Sequence, residues 1–292
     1  MVTVRRDSDG ERQPELVLIP QPPELADYMG ELAERLDSLS GWAHKGADNA
    51  LTVYNDDGRK AALDLRTVGM EPESATKIDH VVARTLQVWE ANRDNEYETS
   101  FNSGVIAERR GALQIIFCDL GTPSKDTGPD GQPVWTAYQQ IRDQLVAGGI
   151  QAGQVKFIHD FPQAEQKARL FEQCRNGEVA VLVGSTAMMG TGTNVQLRAK
   201  PIHHVTCPWR PADLTQRDGR IIRQGNANTE VHNFRYATVG SYDSSAWDGI
   251  QRKATMINQV LRGRLDVREL EDVGDLALNA AQIKAATSGN PW

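Results

Sequence analysis

From about residue 112 onward, short apolar β-type runs alternate with stretches of helical periodicity. The runs are Leu113 to Cys118, Val155 to His159, Val179 to Val183, Ile202 to Thr206 and Val231 to Thr238. Helices are predicted between and after them at 134–147, 163–175, 211–224 and 243–262. Strand and helix in strict alternation predict right-handed crossovers, and therefore an α/β fold: a mostly parallel sheet with helices on both faces. In such a sheet ligands sit outside the carboxyl ends of the strands. No internal repeat of solenoid length is present.

The first part of the chain reads differently. Leu16 to Ile19 forms a short strand, and Pro20, Pro22 and Pro23 end it and launch a helix. In that helix Leu25, Tyr28, Met29, Leu32, Leu36 and Leu39 make one amphipathic stripe. Asp56-Asp57-Gly58 predicts a turn, and a second amphipathic helix is expected at Lys77 to Ala91, with Ile78, Val81, Val82, Leu86 and Trp89 on its apolar side. The polar stretch 92–111 reads as a mobile loop. The expected organisation is an N-terminal strand and helix appendage over 1–75, a sheet lobe over 76–262 and a C-terminal tail over 263–292.

At 292 residues the chain has room for one large domain or two small ones, and 39% hydrophobic with 24% charged residues places it in the soluble globular class. The longest purely apolar run, Val179 to Val183, is far too short to cross a bilayer. The first twenty residues mix Arg5, Arg6, Asp7, Asp9, Glu11 and Arg12 without an apolar core, which argues against a secretory leader. Three widely spaced cysteines, Cys118, Cys174 and Cys207, suit reduced thiols, so the cytoplasm is the expected address. A net charge of −7 argues against coating nucleic acid by bulk charge. Residues 198–268, however, hold 12 basic against 6 acidic side chains. Such a local excess fits a phosphate-contacting surface, and a solvated helical face accounts for it equally well.

Candidate chemistry concentrates in Pro208 to Gly225. Pro211 suits a first helical turn and Gly225 a position after a last one, which predicts a helix of about four turns. On that helix Gln216, Arg220 and Arg223 fall within about 60° of one another, with Leu214 and Ile221 opposite. Two rigid, permanently charged guanidiniums side by side suit a cluster of anionic oxygens such as a transferring phosphoryl group; a plain surface arginine pair is the alternative. Asp218 falls on the apolar side, where a salt bridge or a cap is all the pattern offers it. Gly184 to Asn194 follows an apolar run, and small and hydroxyl residues there let backbone N–H groups approach phosphate; Gly190 and Gly192 alone would mark no more than a tight turn.

The helix from Asp243 carries Ala246, Trp247, Ile250, Ala254, Ile257 and Leu261 on one stripe, read as core. Arg252 and Lys253, with Arg262, Arg264 and Arg268, are candidate DNA-backbone contacts or simply a solvated face. His203-His204-x-x-Cys207 lacks the four ligands at set spacing that a structural zinc site needs, and reads as the end of a buried strand. Cys118 and Cys207 read as core thiols.

These residues carry a resemblance. Gln216-Arg-Asp-Gly-Arg-Ile-Ile-Arg223 matches the Q-R-x-G-R-x-x-R pattern of motif six in superfamily-two helicases. Ser185-Thr186 through Gly190, Gly192 and Asn194 resembles motif five of the Swi/Snf branch, and Gln114 to Cys118 resembles the motif-four strand. The stretches Cys118-Asp-Leu-Gly-Thr-Pro123, Pro208-Trp-Arg-Pro-Ala-Asp213, Arg223-Gln-Gly-Asn226 and Ile283 to Pro291 resemble the helicase part of large phage and plasmid methylase-helicase (antirestriction-type) proteins. The resemblance implies the second, C-terminal RecA-like lobe of an ATP-dependent DNA helicase or translocase. It implies Arg223 as the arginine finger with Arg220 beside it on the phosphates, and Gln216 and Arg217 joining the lobes at the nucleotide. By the same resemblance Gly192 and Asn194 lie near the cleft, and Ser185, Thr186 and Gly190 lie on DNA phosphates.

A P-loop needs Gly-x-x-x-x-Gly-Lys-Ser/Thr, yet the dipeptides Gly-Lys and Asp-Glu occur nowhere in the chain. ATP and Mg²⁺ are therefore expected to be shared with a first RecA-like lobe, upstream or on another chain, and the chain by itself is expected to be inactive. A non-catalytic DNA- or protein-binding module with a degenerate lobe is the alternative. A methyltransferase reading fails for want of an Asn/Asp-Pro-Pro-Tyr/Phe box.

Overall fold

Every residue of strand β3 (Leu113–Phe117) is buried, as the central strand of a parallel sheet must be when helices cover both its faces. The computed structural model describes residues 2–5, 13–39, 53–129, 131–189 and 194–261. Seven strands form one sheet: β1 (Thr3–Val4), β2 (Glu15–Ile19), β3, β4 (Val155–Phe157), β5 (Val181–Gly184), β6 (Ala199–His204) and β7 (Glu230–Thr238). The order is β1-β7-β6-β3-β5-β4, with β2 also pairing β7. The pairs β1–β7, β7–β6, β6–β3, β3–β5 and β5–β4 are all parallel, giving the expected α/β arrangement of a mostly parallel sheet with helices.

The described residues divide into two compact units. The first draws on the described residues within 1–17, 77–206 and 212–236, the second on those within 18–76, 207–211 and 237–261. The division differs from the one expected at residue 75, because the last helix belongs with the N-terminal helices.

In the first unit, β3 alternates its residues between two helical layers. Leu113, Ile115 and Phe117 join a core cluster with Leu182, Ile202 and Val231 from neighbouring strands and Leu170, Phe171 and Cys174 from one helix, Ala164–Asn176. Gln114 faces the other way, its amide donating to the Thr85 carbonyl of the helix Lys77–Asn92 at 2.9 Å. That helix buries Ile78, Val81, Val82, Thr85 and Val88, with Leu86 and Trp89 only half-buried, so its inward face is rotated from the predicted one. It packs on the helix Ala137–Ala147, which Thr136 caps by accepting from the Gln139 N–H. The approach is close: a Cβ on Gly148 would collide with Leu86.

The stretch 92–111 carries defined backbone pairing. The Thr99 and Ala107 N–H groups donate to the Val105 and Tyr97 carbonyls, each at 2.8 Å, and the buried Tyr97 donates its hydroxyl to Asn228 at 2.9 Å. Polar composition conceals this pairing because the backbone, not the side chains, makes it. The apolar runs were also read slightly out of phase: β4 ends at Phe157 and gives way to a 3₁₀ turn, Ile158–Asp160, and β6 ends at His204.

In the second unit the helix Pro23–Leu39 buries Leu25, Met29 and Leu32. Asp56-Asp57-Gly58 lies in a helical segment, Val53–Gly58, that runs on into Arg59–Leu63, where a simple turn was expected. Arg59 lies over the Trp209 ring at 4.5 Å. The helix Tyr242–Leu261 buries Ala246, Trp247 and Ile250 but leaves Ile257 exposed, so the predicted apolar stripe is core only over its first half. The expected tail 263–292, with Ile283 to Pro291, and Arg262, Arg264 and Arg268 lie outside the described residues.

Candidate functional site

The order β6-β3-β5 sets the carboxyl ends of three neighbouring strands side by side, and each is followed by a residue able to hydrogen-bond. Asp119 follows β3, Ser185 and Thr186 follow β5, and Thr206 follows β6. The Asp119 N–H donates to Thr206 Oγ1 at 2.9 Å. The Asp119 carboxylate accepts from the Thr186 N–H at 2.7 Å and from the Thr186 hydroxyl at 2.9 Å.

Arg217 closes this network from the short helix Pro211–Asp218. Its Nη2 lies 2.5 Å from Asp119 Oδ2, its Nη1 donates to the Thr206 carbonyl at 2.8 Å and its Nε donates to Thr186 Oγ1 at 2.9 Å. The guanidinium is 1% exposed and lies 5.0 Å from the centre of the Phe117 ring. A buried guanidinium is tolerable only with a partner charge and directed acceptors, and here it has both. Arg217, expected to help join the lobes at a nucleotide, is buried inside its own unit, where Asp119, Thr186 and Thr206 take up its donors.

The helix ends at Asp218, so Gln216, Arg220 and Arg223 do not share a helical face. The chain continues as a chain of tight turns. The Ile221 and Ile222 N–H groups return to the Asp218 carbonyl at 3.2 and 3.0 Å, and the Arg223 N–H reaches Ile221 O at 2.9 Å. Ile221 is 0% exposed and sits in the core cluster. Asn226, also buried, donates to the carbonyls of Ile221 at 2.9 Å and Ala199 at 2.7 Å. Gly225, at φ +88°, supplies the left-handed backbone that closes the loop. Pinned at both ends, the loop leaves Arg223 exposed and Arg220 half-buried. Burial and the neighbouring Arg223 charge together lower the proton affinity of Arg220, so the two guanidiniums sense one another.

Asp218 also acquires its account. It accepts from His204 Nε2 at 2.8 Å and from Asn233 Nδ2 at 2.8 Å, with Arg235 Nη2 at 3.6 Å. Burial holds His204 below the ordinary histidine range, against the pull of Asp218. His203 points to the other face, 2.8 Å from the Tyr236 hydroxyl and 3.1 Å from Gln114 Oε1, and burial lowers its pKa to about 3. Both rings are thus engaged with neighbouring side chains. Among the described residues no group of three or more His, Cys, Asp or Glu side chains is placed to hold a metal ion. Burial raises the Cys118 thiol to about 11 and Cys174 further, which keeps both protonated.

Ser185 is buried, its Oγ 3.3 Å from His159 Nε2. Gln216 is exposed, and Asn194 is exposed with its carbonyl accepting from Arg175 Nη1 at 2.8 Å. Gly190 and Gly192 lie outside the described residues. Arg252, exposed, and Lys253, half-buried, belong to the second unit. The structure thus gathers Ser185, Thr186 and Arg217 and presents Arg220 and Arg223 from one loop. It adds Asp119, Thr206, His204 and Asn226, which residue patterns did not single out for a role. The available signal was positional: Asp119 and Thr206 are polar residues just past the ends of buried strands.

Residues 137–225 match the helicase conserved C-terminal domain, a segment that includes β4, β5, β6, Thr186, Arg217 and the whole arginine loop. Over 85 residues the chain is 35% identical to the defense against restriction protein B of Escherichia phage P1, a match covering 29% of this chain and 4% of that protein. Among solved structures it is similar to the C-terminal part of the Fun30 ATPase domain, at 11% identity and a TM-score of 0.46, covering 86% of this chain and 99% of that one. It is also similar to the DUF1998 helicase MrfA bound to DNA, at 12% identity and a TM-score of 0.35, covering 50% of this chain and 18% of that one. No helix among the described residues is long and apolar enough to cross a membrane.

Proposed function

We propose that this chain acts as the second motor lobe of an ATP-dependent DNA helicase or translocase. In this reading Arg223 is the arginine finger, Arg220 its neighbour on the phosphates, and the Ser185–Thr186 turn a contact for the DNA backbone. The observation that carries the reading is the Gly219–Gly225 loop within the segment that matches a helicase C-terminal domain. Its buried Ile221, with the buried Asn226 just after it, anchors a loop that carries two arginines, one of them open to solvent.

The residues fit a polyphosphate. Arg223 already disfavours the charge on Arg220, so an anion shared by both relieves that repulsion and is favoured over either guanidinium alone. ATP with Mg²⁺ supplies the phosphoryl group that is transferred to water. Arg223 would stabilise the charge that develops on the phosphoryl oxygens, and Arg220 would orient them. The grip on the β- and γ-phosphates belongs to a P-loop, and these 292 residues contain no Gly-Lys. A first RecA-like lobe is therefore the required partner. DNA as the substrate is supported by the match to a helicase domain and by the basic excess over 198–268.

The test is DNA-stimulated ATP hydrolysis by the chain alone and by the chain combined with a supplied first lobe. Turnover is expected only in the combination, and Arg223→Ala should reduce it by roughly 10³-fold or more while DNA binding persists. Robust hydrolysis by the chain alone overturns the proposal. DNA binding that no nucleotide alters, in the presence of the first lobe, points to a non-catalytic module.

A further inference from the structure

We infer that Asp119 is a positioning residue: its carboxylate is the joint through which a phosphate on the Ser185–Thr186 turn shifts the seat of Arg217, and with it the Gly219–Gly225 loop. The inference rests on the reading that this turn meets the DNA backbone, and it adds how that contact reaches the arginines.

Three observations combine. Asp119 Oδ1 accepts from the Thr186 backbone N–H and hydroxyl, at 2.7 and 2.9 Å, and Oδ2 accepts from Arg217 Nη2 at 2.5 Å with the Thr186 hydroxyl 3.1 Å away. Thr186 Oγ1 is shared: it donates to Asp119 and accepts from Arg217 Nε at 2.9 Å. Arg217 in turn begins the chain of turns, since its carbonyl accepts from the Arg220 N–H at 2.9 Å.

A phosphate oxygen that recruits the Thr186 hydroxyl takes that donor from Asp119. The carboxylate, which is 18% exposed, then has Arg217 as its principal charged partner, and Arg217 keeps fewer reasons to stay against Thr186. Arg217 is almost wholly buried and keeps Asp119 and the Thr206 carbonyl as partners, so it re-seats on those within the protein. Gly219 lies two residues further on. By linkage, an anion that re-seats the loop must also change the affinity of the turn for phosphate by the same factor.

The test is hydrogen exchange of backbone amides over 219–226 in the full chain, with and without a short DNA duplex at saturation, binding being followed separately by fluorescence anisotropy. In the wild type the duplex should change exchange in this segment by about threefold or more. In Asp119→Asn, which keeps an oxygen for Thr186 but removes the charge facing Arg217, the response should disappear. In Thr186→Val, which leaves the Asp119–Arg217 pair intact, it should disappear as well, so a poorly folded Asp119 variant does not decide the matter. An unchanged response in Thr186→Val, or in a folded Asp119→Asn, overturns the inference while leaving DNA binding standing. A wild type that fails to bind the duplex removes the reading beneath it, and a wild type that binds with no change over 219–226 removes the inference alone.

Discussion

His204 Nε2 lies 2.8 Å from Asp218 Oδ1, tying the last residue of β6 to the last residue of the helix that precedes the arginine loop. Asp218 occupies the unspecified position in the stretch Gln216-Arg-Asp-Gly-Arg. It nevertheless decides where the helix stops, because its side chain is anchored to the sheet while its carbonyl receives the Ile221 and Ile222 N–H groups. The helix end, the carboxyl end of β6 and the arginine loop therefore meet at one residue.

Asp218→Ala should destabilise the protein by about 2–4 kcal/mol, since it strips a fully buried imidazole of its partner and frees Asn233 as well. Asp218→Asn, which keeps an acceptor oxygen, should cost less. Urea unfolding followed by circular dichroism measures both, and an alanine variant as stable as the wild type would show that the pair does not hold the helix end.

Ile221→Ala should cost about 2–4 kcal/mol, as expected when a buried branched side chain leaves a cavity. Ile222, its neighbour, is 37% exposed, and Ile222→Ala should stay within about 0.5 kcal/mol of the wild type. Paired thermal melts read the contrast. Equal effects would mean that the loop is not anchored through Ile221.

Gly177 closes the helix Ala164–Asn176 at φ +82°, and a Cβ there would run into the Arg198 guanidinium. Gly177→Ala should lose about 1–2 kcal/mol or more, combining left-handed strain with displacement of a buried arginine. Gly153, around which nothing lies within 4 Å, serves as the control, and Gly153→Ala should be within about 0.5 kcal/mol of the wild type.

Acid should weaken the fold well before carboxylates titrate. His203 is neutral in the folded chain down to about pH 3, whereas in the unfolded chain it protonates below about 6.5. Its folded pKa is depressed, so its contribution is complete above pH 6.5 and is lost as pH falls from there towards 3. The loss amounts to about 1.4 kcal/mol per pH unit, or about 2 kcal/mol at pH 5. Denaturant titrations between pH 7 and 5 should show at least this slope, and His203→Gln should reduce it by His203's share, leaving the part due to His204 and His232. An unchanged slope in that variant would assign the acid sensitivity to other groups.

Much of the architecture was legible in the residues. Alternating apolar runs and helical periods defined the parallel sheet, because a strand buried on both faces has to be apolar along its length, as Leu113 to Phe117 is. The stretch Gln216 to Arg223 was legible as a candidate for chemistry, since paired guanidiniums suit an anion, with a plain surface arginine pair as the alternative. The errors fell where backbone or long-range pairing outweighs local pattern. Gly219 and the anchored Asp218 stop the helix that Pro211 and Gly225 appeared to bracket, and the turns around Tyr97 are made by backbone groups that composition does not reveal.

The residues by themselves determined the order of elements, the layer each apolar run must occupy and the pair of arginines available for an anion. Only the tertiary structure decided that Arg217 is buried and Arg223 exposed, though both belong to one motif. The reason is that Asp119, Thr186 and Thr206 come from three different strand ends, and strand order brings them around a single guanidinium that no spacing along the chain could have marked.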